Sequence, residues 1–147
     1  MPTFPSVDWF NAVRERYNTD QTLHSGGGGP CEAKAALCIG DSVYLLEFEG
    51  FECAEILEID RDDIDQADFF LEMPMPEWID MINNIRENGA ADLDHTLSTI
   101  DLELEDGLPR APGDDQYRRD LFYRYNQNFQ DFFDASAGIA TTIGRVD

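Results

Sequence analysis

The stretch ADFFLEMPMPEWIDMI, residues 67–82, changes from one hydrophobic period to another at a pair of prolines. Before the prolines the residues alternate as in a strand, which we place at 67–73, and after them apolar residues recur at helical spacing. Proline suits the first turn of a helix, so we predict a helix that starts at Pro76 and ends at Gly89. Its apolar stripe is Trp78, Met81, Ile82 and Ile85.

Residues upstream of this stretch alternate with a period of two, which predicts three more strands, at 32–39, 43–49 and 52–59. The glycines at 40 and 50 fall in the breaks between them, where hairpin turns are expected. One face of these strands is almost fully apolar and the other is mixed. This pattern is typical of an antiparallel meander with helices on one side, so we predict an α+β fold.

The two ends of the chain are predicted to be helical. Ser6 can cap a first helix from Val7 to about Tyr17, and the last helix should run from Gln116 to Ala135. Between Gly89 and the last helix we predict a short helix or turn at 91–98. Residues 99–105 then alternate between leucine or isoleucine and acidic residues, which predicts a fifth strand of a mostly antiparallel sheet.

The last helix is unusually aromatic, with seven aromatic residues between Tyr117 and Phe133. Burying such a side chain contributes about 1.5–3 kcal/mol, so this face should be covered by the sheet, by a partner chain or by a ligand. Two methionines beside the prolines, Met73 and Met75, are adaptable groups suited to the edge of a pocket.

Composition sets the class of protein. The 147 residues contain 42% apolar and 12% aromatic residues, which indicates a folded core, and we treat 1–147 as one domain with an arm at 1–5 and a tail at 136–147. The formal net charge of −21 disfavours nucleic acid and anionic lipid surfaces. No stretch suits membrane insertion and the N-terminus resembles no secretory signal. With three cysteines and no Cys-x-x-Cys pair, we expect reduced thiols and a cytoplasmic location.

The motifs that could carry chemistry are weak. The glycines 26–29 are followed by no phosphate-binding Lys and no helix, so they are interpreted as a connection, which could also serve as a lid over a pocket. Asp94, His95 and Ser98 could form a nucleophilic set, but members of such sets usually come from distant segments. The acidic run 61–65 lacks the glycine and the terminal glutamate of a calcium loop. We therefore predict no catalytic residues, no metal site and no cofactor.

The order of the predicted elements resembles the sterol carrier protein type-2 domain family over about residues 5–135. The strand 67–73 followed by residues 76–82 resembles that family's alternating strand and the helix that enters its tunnel floor. The resemblance implies a five-stranded sheet covered by helices around an apolar tunnel, and binding or transfer of sterols, fatty acids or acyl-CoA. The chain departs from the family in its single Gly89 after that helix, in its lack of basic surface and in having no peroxisomal targeting tripeptide.

The leading hypothesis is a carrier or accessory binding protein, monomeric or homodimeric, that encloses an apolar sterol, steroid-like or fatty acyl ligand. Its predicted ligand-binding residues are Phe69, Leu71, Trp78, Met81, Ile82, Ile85, Phe122, Tyr125, Phe129, Phe132 and Phe133. A second hypothesis is an isomerase, cyclase or hydrolase on the same scaffold, which needs a carboxylate or histidine facing the cavity; the candidates are Glu47, Glu72, Asp94 and His95. A third is an interaction subunit that buries its aromatic helix against another chain.

Overall fold

The computed structural model describes residues 2–19, 31–104 and 107–143. Its helices are α1 (Val7–Thr19), α2 (Met75–Asn88), α3 (Leu97–Glu103) and α4 (Gln116–Asp134). Its strands are β1 (Thr3–Phe4), β2 (Ala33–Ile39), β3 (Ser42–Glu49), β4 (Glu52–Ile59), β5 (Phe69–Glu72), β6 (Pro109–Arg110) and β7 (Thr142–Ile143).

The main sheet has five strands in the order β4-β3-β2-β5-β6, as predicted for an α+β fold. The first three strands form the predicted antiparallel meander, and its hairpin turns place Gly40 and Gly50 at φ values of 62° and 61°. β5 does not extend the meander, because the chain crosses over from β4 and pairs β5 with β2 in parallel. The sheet is therefore mixed, with its one parallel pair at the centre.

The prediction of a strand at 99–105 is wrong, since residues 97–103 form α3 and β6 supplies the fifth strand. Helical spacing competes with alternation here: Leu97 and Ile100 are buried, whereas Leu102, which a strand would have buried beside Ile100, is 85% exposed. Thr96 starts the helix, because its hydroxyl oxygen accepts a hydrogen bond from the backbone N–H of Thr99 at 3.1 Å.

The predicted ends of the longer helices are confirmed within one or two residues. Ser6 caps α1 by accepting a hydrogen bond from the backbone N–H of Trp9 at 3.1 Å. α2 begins at Met75, one residue before Pro76, and Gly89 ends it in the left-handed conformation at a φ of 83°. The last helix ends at Asp134 and passes directly into a 3₁₀ turn at Ala135–Gly138.

The core lies between the inner face of the sheet and the helices, and it is dominated by aromatic rings. Phe48 on β3 and Phe69 on β5 both meet Phe129 on α4, at centroid distances of 4.9 and 5.4 Å. On the outer face, a smaller apolar group of Ala36, Cys38, Val43, Leu45 and Ala67 is buried. A 3₁₀ turn at Arg61–Gln66, which contains the acidic run 61–65, contributes Ile64 to this group.

The N-terminal and C-terminal segments meet at a small parallel pair of strands, β1 and β7. Beside it, the indole Nε1–H of Trp9 donates a hydrogen bond to the hydroxyl of Thr141 at 2.9 Å. Residues 139–143 of the predicted tail are thus tied back to the first helix, whereas residues 144–147 lie outside the described part of the chain.

A bulge in the edge strand β4 is held by α1. The pairing of β3 with β4 shifts by one residue between Glu47 and Phe48, which leaves Ala54 without a counterpart. Arg14 on α1 donates from Nε to the Cys53 carbonyl at 2.7 Å and from Nη2 to the Ala54 carbonyl at 2.8 Å. The carbonyls at the bulge therefore find donors on the helix instead of on another strand.

Candidate functional site

A pocket of about 510 Å³ opens at the edge of the molecule where β2 and β5 end. It is called the edge pocket below. It is larger than the pockets of about 440 Å³ beside Arg86 and about 310 Å³ beside Lys34. The residues that line it are Cys38, Gly40, Glu72, Met73, Pro74, Met75, Leu104, Gly107 and Arg110.

The parallel pairing of β2 with β5 creates this pocket, because it brings the carboxyl ends of two strands to the same edge of the sheet. Pro74 then turns the chain from β5 into α2, which carries Met75 over the opening. Gly40 turns the chain from β2 into β3, and a Cβ atom there would lie 3.0 Å from Cε of Met75. The glycine therefore lets Met75 lie close to the hairpin.

Hydrogen bonds from α4 hold the segment before α3 and the start of α3, the short helix after which Leu104 enters the wall of the edge pocket. The Gln130 side chain, which is 91% buried, accepts from the backbone N–H of Leu97 at 2.7 Å and donates to Asp134 at 3.0 Å. Burial raises the pKa of the Asp134 carboxyl, and its oxygen accepts a hydrogen bond from the backbone N–H of Ala91. These contacts hold the start of α3, and Leu104 follows the end of that short helix into the pocket wall.

The segment after α3 is held by a carboxylate. Asp101 Oδ1 accepts hydrogen bonds from the backbone N–H of Leu108 at 2.7 Å and from the hydroxyl of Tyr123 at 3.2 Å. A Cβ atom at Gly107 would lie 3.0 Å from the same oxygen, and its φ of 78° also favours glycine. Gly107 thus lines the edge pocket at a position that a larger residue would strain.

Among the described lining residues of the edge pocket, two carry a charge, Glu72 and Arg110, and they differ in their partners. Glu72 forms an ion pair with Arg61, and the contact raises the pKa of the Arg61 guanidinium. Arg110 has a buried Nε that finds no hydrogen-bond acceptor.

The Cys38 thiol, which also lines the edge pocket, is 3% exposed, and burial raises its pKa to about 11, so it is protonated at neutral pH. As predicted, all three cysteines are free, and they are buried.

The eleven residues predicted to contact a ligand come together, but as core. Tyr125 is half-buried, and the other ten are at most 1% exposed. Aromatic members touch one another or their neighbours, as Trp78 does with Phe133 at a centroid distance of 5.9 Å. None of the eleven lines the edge pocket, whereas Met73 and Met75 do, as their adaptability suggested. A direct ligand contact for the eleven stays a prediction.

The candidate residues of the enzyme hypothesis lie apart. His95 Nδ1 is 2.6 Å from Oδ1 of Asp92, not of Asp94, and this exposed contact raises the pKa of the histidine. Ser98 instead accepts a hydrogen bond from Asn126 at 2.8 Å.

The two glutamate candidates lie in different pockets. Glu47 lies in the pocket beside Lys34, and Glu72 lies in the edge pocket. The glycines 26–29 lie outside the described residues.

The sequence analysis missed most of the edge pocket. Six lining residues were not singled out as site residues: Cys38, Gly40, Pro74, Leu104, Gly107 and Arg110. These residues lie near the ends of β2, β5 and α3 and in β6. The elements are distant in the sequence, and only the order of the strands in the sheet brings them together. The one local signal in the sequence is that three of the six are glycine or proline, which mark breaks between elements.

The architecture has a solved counterpart. A crystal structure of sterol carrier protein 2 matches 92% of this chain and 98% of its own chain, with a TM-score of 0.61. The fold is sterol-carrier-like. The two chains are 14% identical, so the likeness concerns the fold alone. No protein-family model matches the sequence. No curated protein matches it either.

In the ranges 2–19, 31–104 and 107–143, no three His, Cys, Asp or Glu side chains are grouped so that they could hold a metal ion. Over the same part of the chain, none of the helices combines the length and apolar character needed to cross a bilayer.

Proposed function

We propose that this protein binds an apolar small molecule in the edge pocket and serves as a carrier or accessory binding protein. The observation that carries the proposal is the pocket itself, whose volume of about 510 Å³ falls within the usual ~300–1,000 Å³ of small-molecule sites. Met73, Met75 and Leu104 supply flexible apolar wall. Methionine side chains adapt to ligands of different shape, which suits a carrier better than a rigid wall would.

The ligand class is supported by the fold. The similar solved structure is a sterol carrier protein, so a sterol, steroid-like or fatty acyl molecule is the first class to test. One predicted ligand-binding residue contacts a lining residue of the edge pocket. The indole Nε1–H of Trp78 donates to the carbonyl of Cys38 at 3.3 Å.

The competing hypotheses find less support in the geometry. An enzyme needs an available acid or base on the pocket wall, and among the described lining residues the carboxylate is Glu72, which is already paired with Arg61. An interaction subunit needs an exposed aromatic face. On α4, however, Phe129, Phe132 and Phe133 are covered by the chain's own sheet and helices.

A bulky residue on the wall should fill the pocket. We expect Leu104→Trp to weaken the binding of decanol at least tenfold, because the indole would occupy the volume that the ligand needs. Leu102→Trp is the matched control, since Leu102 lies two residues away, is 85% exposed and is not part of the pocket wall. Isothermal titration calorimetry of the wild type and both variants measures the effect. Equal weakening in both variants, or a wild type that binds neither decanol nor cholesterol, would contradict the proposal.

A further inference from the structure

We infer that Arg110 makes the edge pocket selective for an apolar molecule that carries a carboxylate, by binding that carboxylate through its guanidinium group. The inference rests on the proposed function and names the ligand class more narrowly. It comes from a contrast between two arginines: Arg61 is paired with the lining residue Glu72, whereas Arg110, which lines the pocket itself, has no ion-pair partner among the described residues.

Arg110 is placed by the sheet. β6 pairs with β5 so that Arg110 lies opposite Phe70, on the outer face of the sheet and beside the pocket. Its Nε is buried without an acceptor. Removing a charged donor from water without a partner costs free energy, so such groups are normally paired. Among the described residues, ion pairs join Arg61 with Glu72 and His95 with Asp92, and Arg110 belongs to neither.

A buried arginine Nε without an acceptor is unexpected in this chain. It has 31 Asp and Glu residues against 10 Lys and Arg, so carboxylates to pair with are abundant. Glu72 lines the same pocket, yet its carboxylate is bonded to Arg61. That pairing also neutralises the acidic group that would otherwise repel an anion in the pocket. Among the described residues, the pocket therefore combines one neutralised carboxylate with one guanidinium whose Nε has no acceptor.

The chemistry of the wall defines the rest of the ligand. A guanidinium presents a planar set of N–H donors that matches the two oxygens of a carboxylate. Beyond Arg110, the wall offers Met73, Met75 and Leu104, which suit an alkyl or ring system. The net charge of −21 repels anions in general, so any preference for an acid over its uncharged counterpart must arise locally.

Decanoate and decanol test this inference, because they share the alkyl chain and differ in the head group. At pH 8, where decanoate is ionised, calorimetry should show that the wild type binds decanoate at least tenfold more tightly than decanol, as expected for a charge-assisted pair. Arg110→Met keeps an apolar stem and removes the guanidinium, so it should abolish this preference while decanol binding stays within twofold. Arg110→Lys should keep part of the preference. Arg86→Met, which removes the same charge outside the edge pocket, should leave it unchanged.

The outcomes separate the two proposals. If the wild type binds decanoate and decanol equally well, or if Arg110→Met weakens both by the same factor, Arg110 is only part of the wall and the inference is wrong, although ligand binding itself stands. If neither compound binds the wild type, the inference is wrong, and the proposed function is wrong as well if cholesterol also fails to bind. Thermal unfolding without ligand gives an independent check, because loss of an unpartnered buried donor should leave the melting temperature of Arg110→Met unchanged or higher. A marked fall would show that the guanidinium serves the fold and would contradict the inference.

Discussion

Replacing Phe132 with alanine should reduce the free energy of unfolding by about 3–5 kcal/mol, the usual cost of removing a fully buried phenylalanine. Phe132 is 0% exposed and lies at the centre of the aromatic core. Its ring centroid is within 6.5 Å of four other ring centroids, those of Phe10, Tyr17, Phe48 and Phe133. A loss of this size is a large part of the about 5–15 kcal/mol that stabilises a typical protein of one domain.

Urea unfolding, followed by circular dichroism, measures this effect. The matched control is Tyr117→Ala on the same helix, because Tyr117 is 74% exposed and its replacement should change the stability by less than about 0.5 kcal/mol. The experiment also distinguishes two roles of α4. If Phe132→Ala cost less than about 1 kcal/mol and an apolar ligand restored the difference, its ring would line a cavity instead of filling the core.

Replacing Arg14 with alanine should cost about 2–3 kcal/mol, because hydrogen bonds from a charged donor contribute about 1.5–3 kcal/mol. Arg14 donates to the carbonyls of both Cys53 and Ala54 at the bulge of β4. Asn18 also donates to the Cys53 carbonyl, at 3.0 Å, and keeps that oxygen paired in the variant. The Ala54 carbonyl loses its donor on the helix, so β4 should loosen at this point.

Two controls define the role of the guanidinium. Arg14→Lys keeps the charge but not the two-atom geometry, and it should recover about half of the loss. Glu15→Ala, on the exposed side of the same helix, should be close to neutral. Hydrogen exchange at β4 gives the local readout. Unchanged protection of this strand in Arg14→Ala would show that the bulge does not depend on the helix.

The sequence was most informative where one periodicity dominates. The change of period at Pro74 and Pro76 correctly placed β5 and α2, and the three strands of the meander were found from their alternation and their glycines. The strand prediction for residues 99–105 failed because the leucine and isoleucine residues in 97–104 fit both the strand period and the helical period. Alternation at Ile100, Leu102 and Leu104 competes with helical spacing at Leu97, Ile100 and Leu104. The Thr96 cap favours the helix, and Leu102 is left exposed.

The site was harder to predict than the core, for a physical reason. Burial leaves a mark on the local sequence, so the aromatic stripe of α4 was evident. Its four phenylalanines are indeed buried, whereas Tyr117 and Tyr123 on the same helix are exposed. A pocket at a strand edge depends on which strands are neighbours. Cys38 and Glu72 lie opposite each other in the parallel pairing of β2 with β5, although 34 residues separate them in the chain. No local pattern reports that pairing, and the alternation of β5 fits parallel and antiparallel neighbours equally well.

The most direct test of ligand binding in the edge pocket is a crystal structure of the protein grown with decanoate at a concentration that saturates it in calorimetry. We expect continuous density in the edge pocket, with the alkyl chain against Met73, Met75 and Leu104 and the carboxylate within hydrogen-bonding distance of Arg110. Decanoate bound only elsewhere on the protein, with the edge pocket filled by water, would contradict the proposed function.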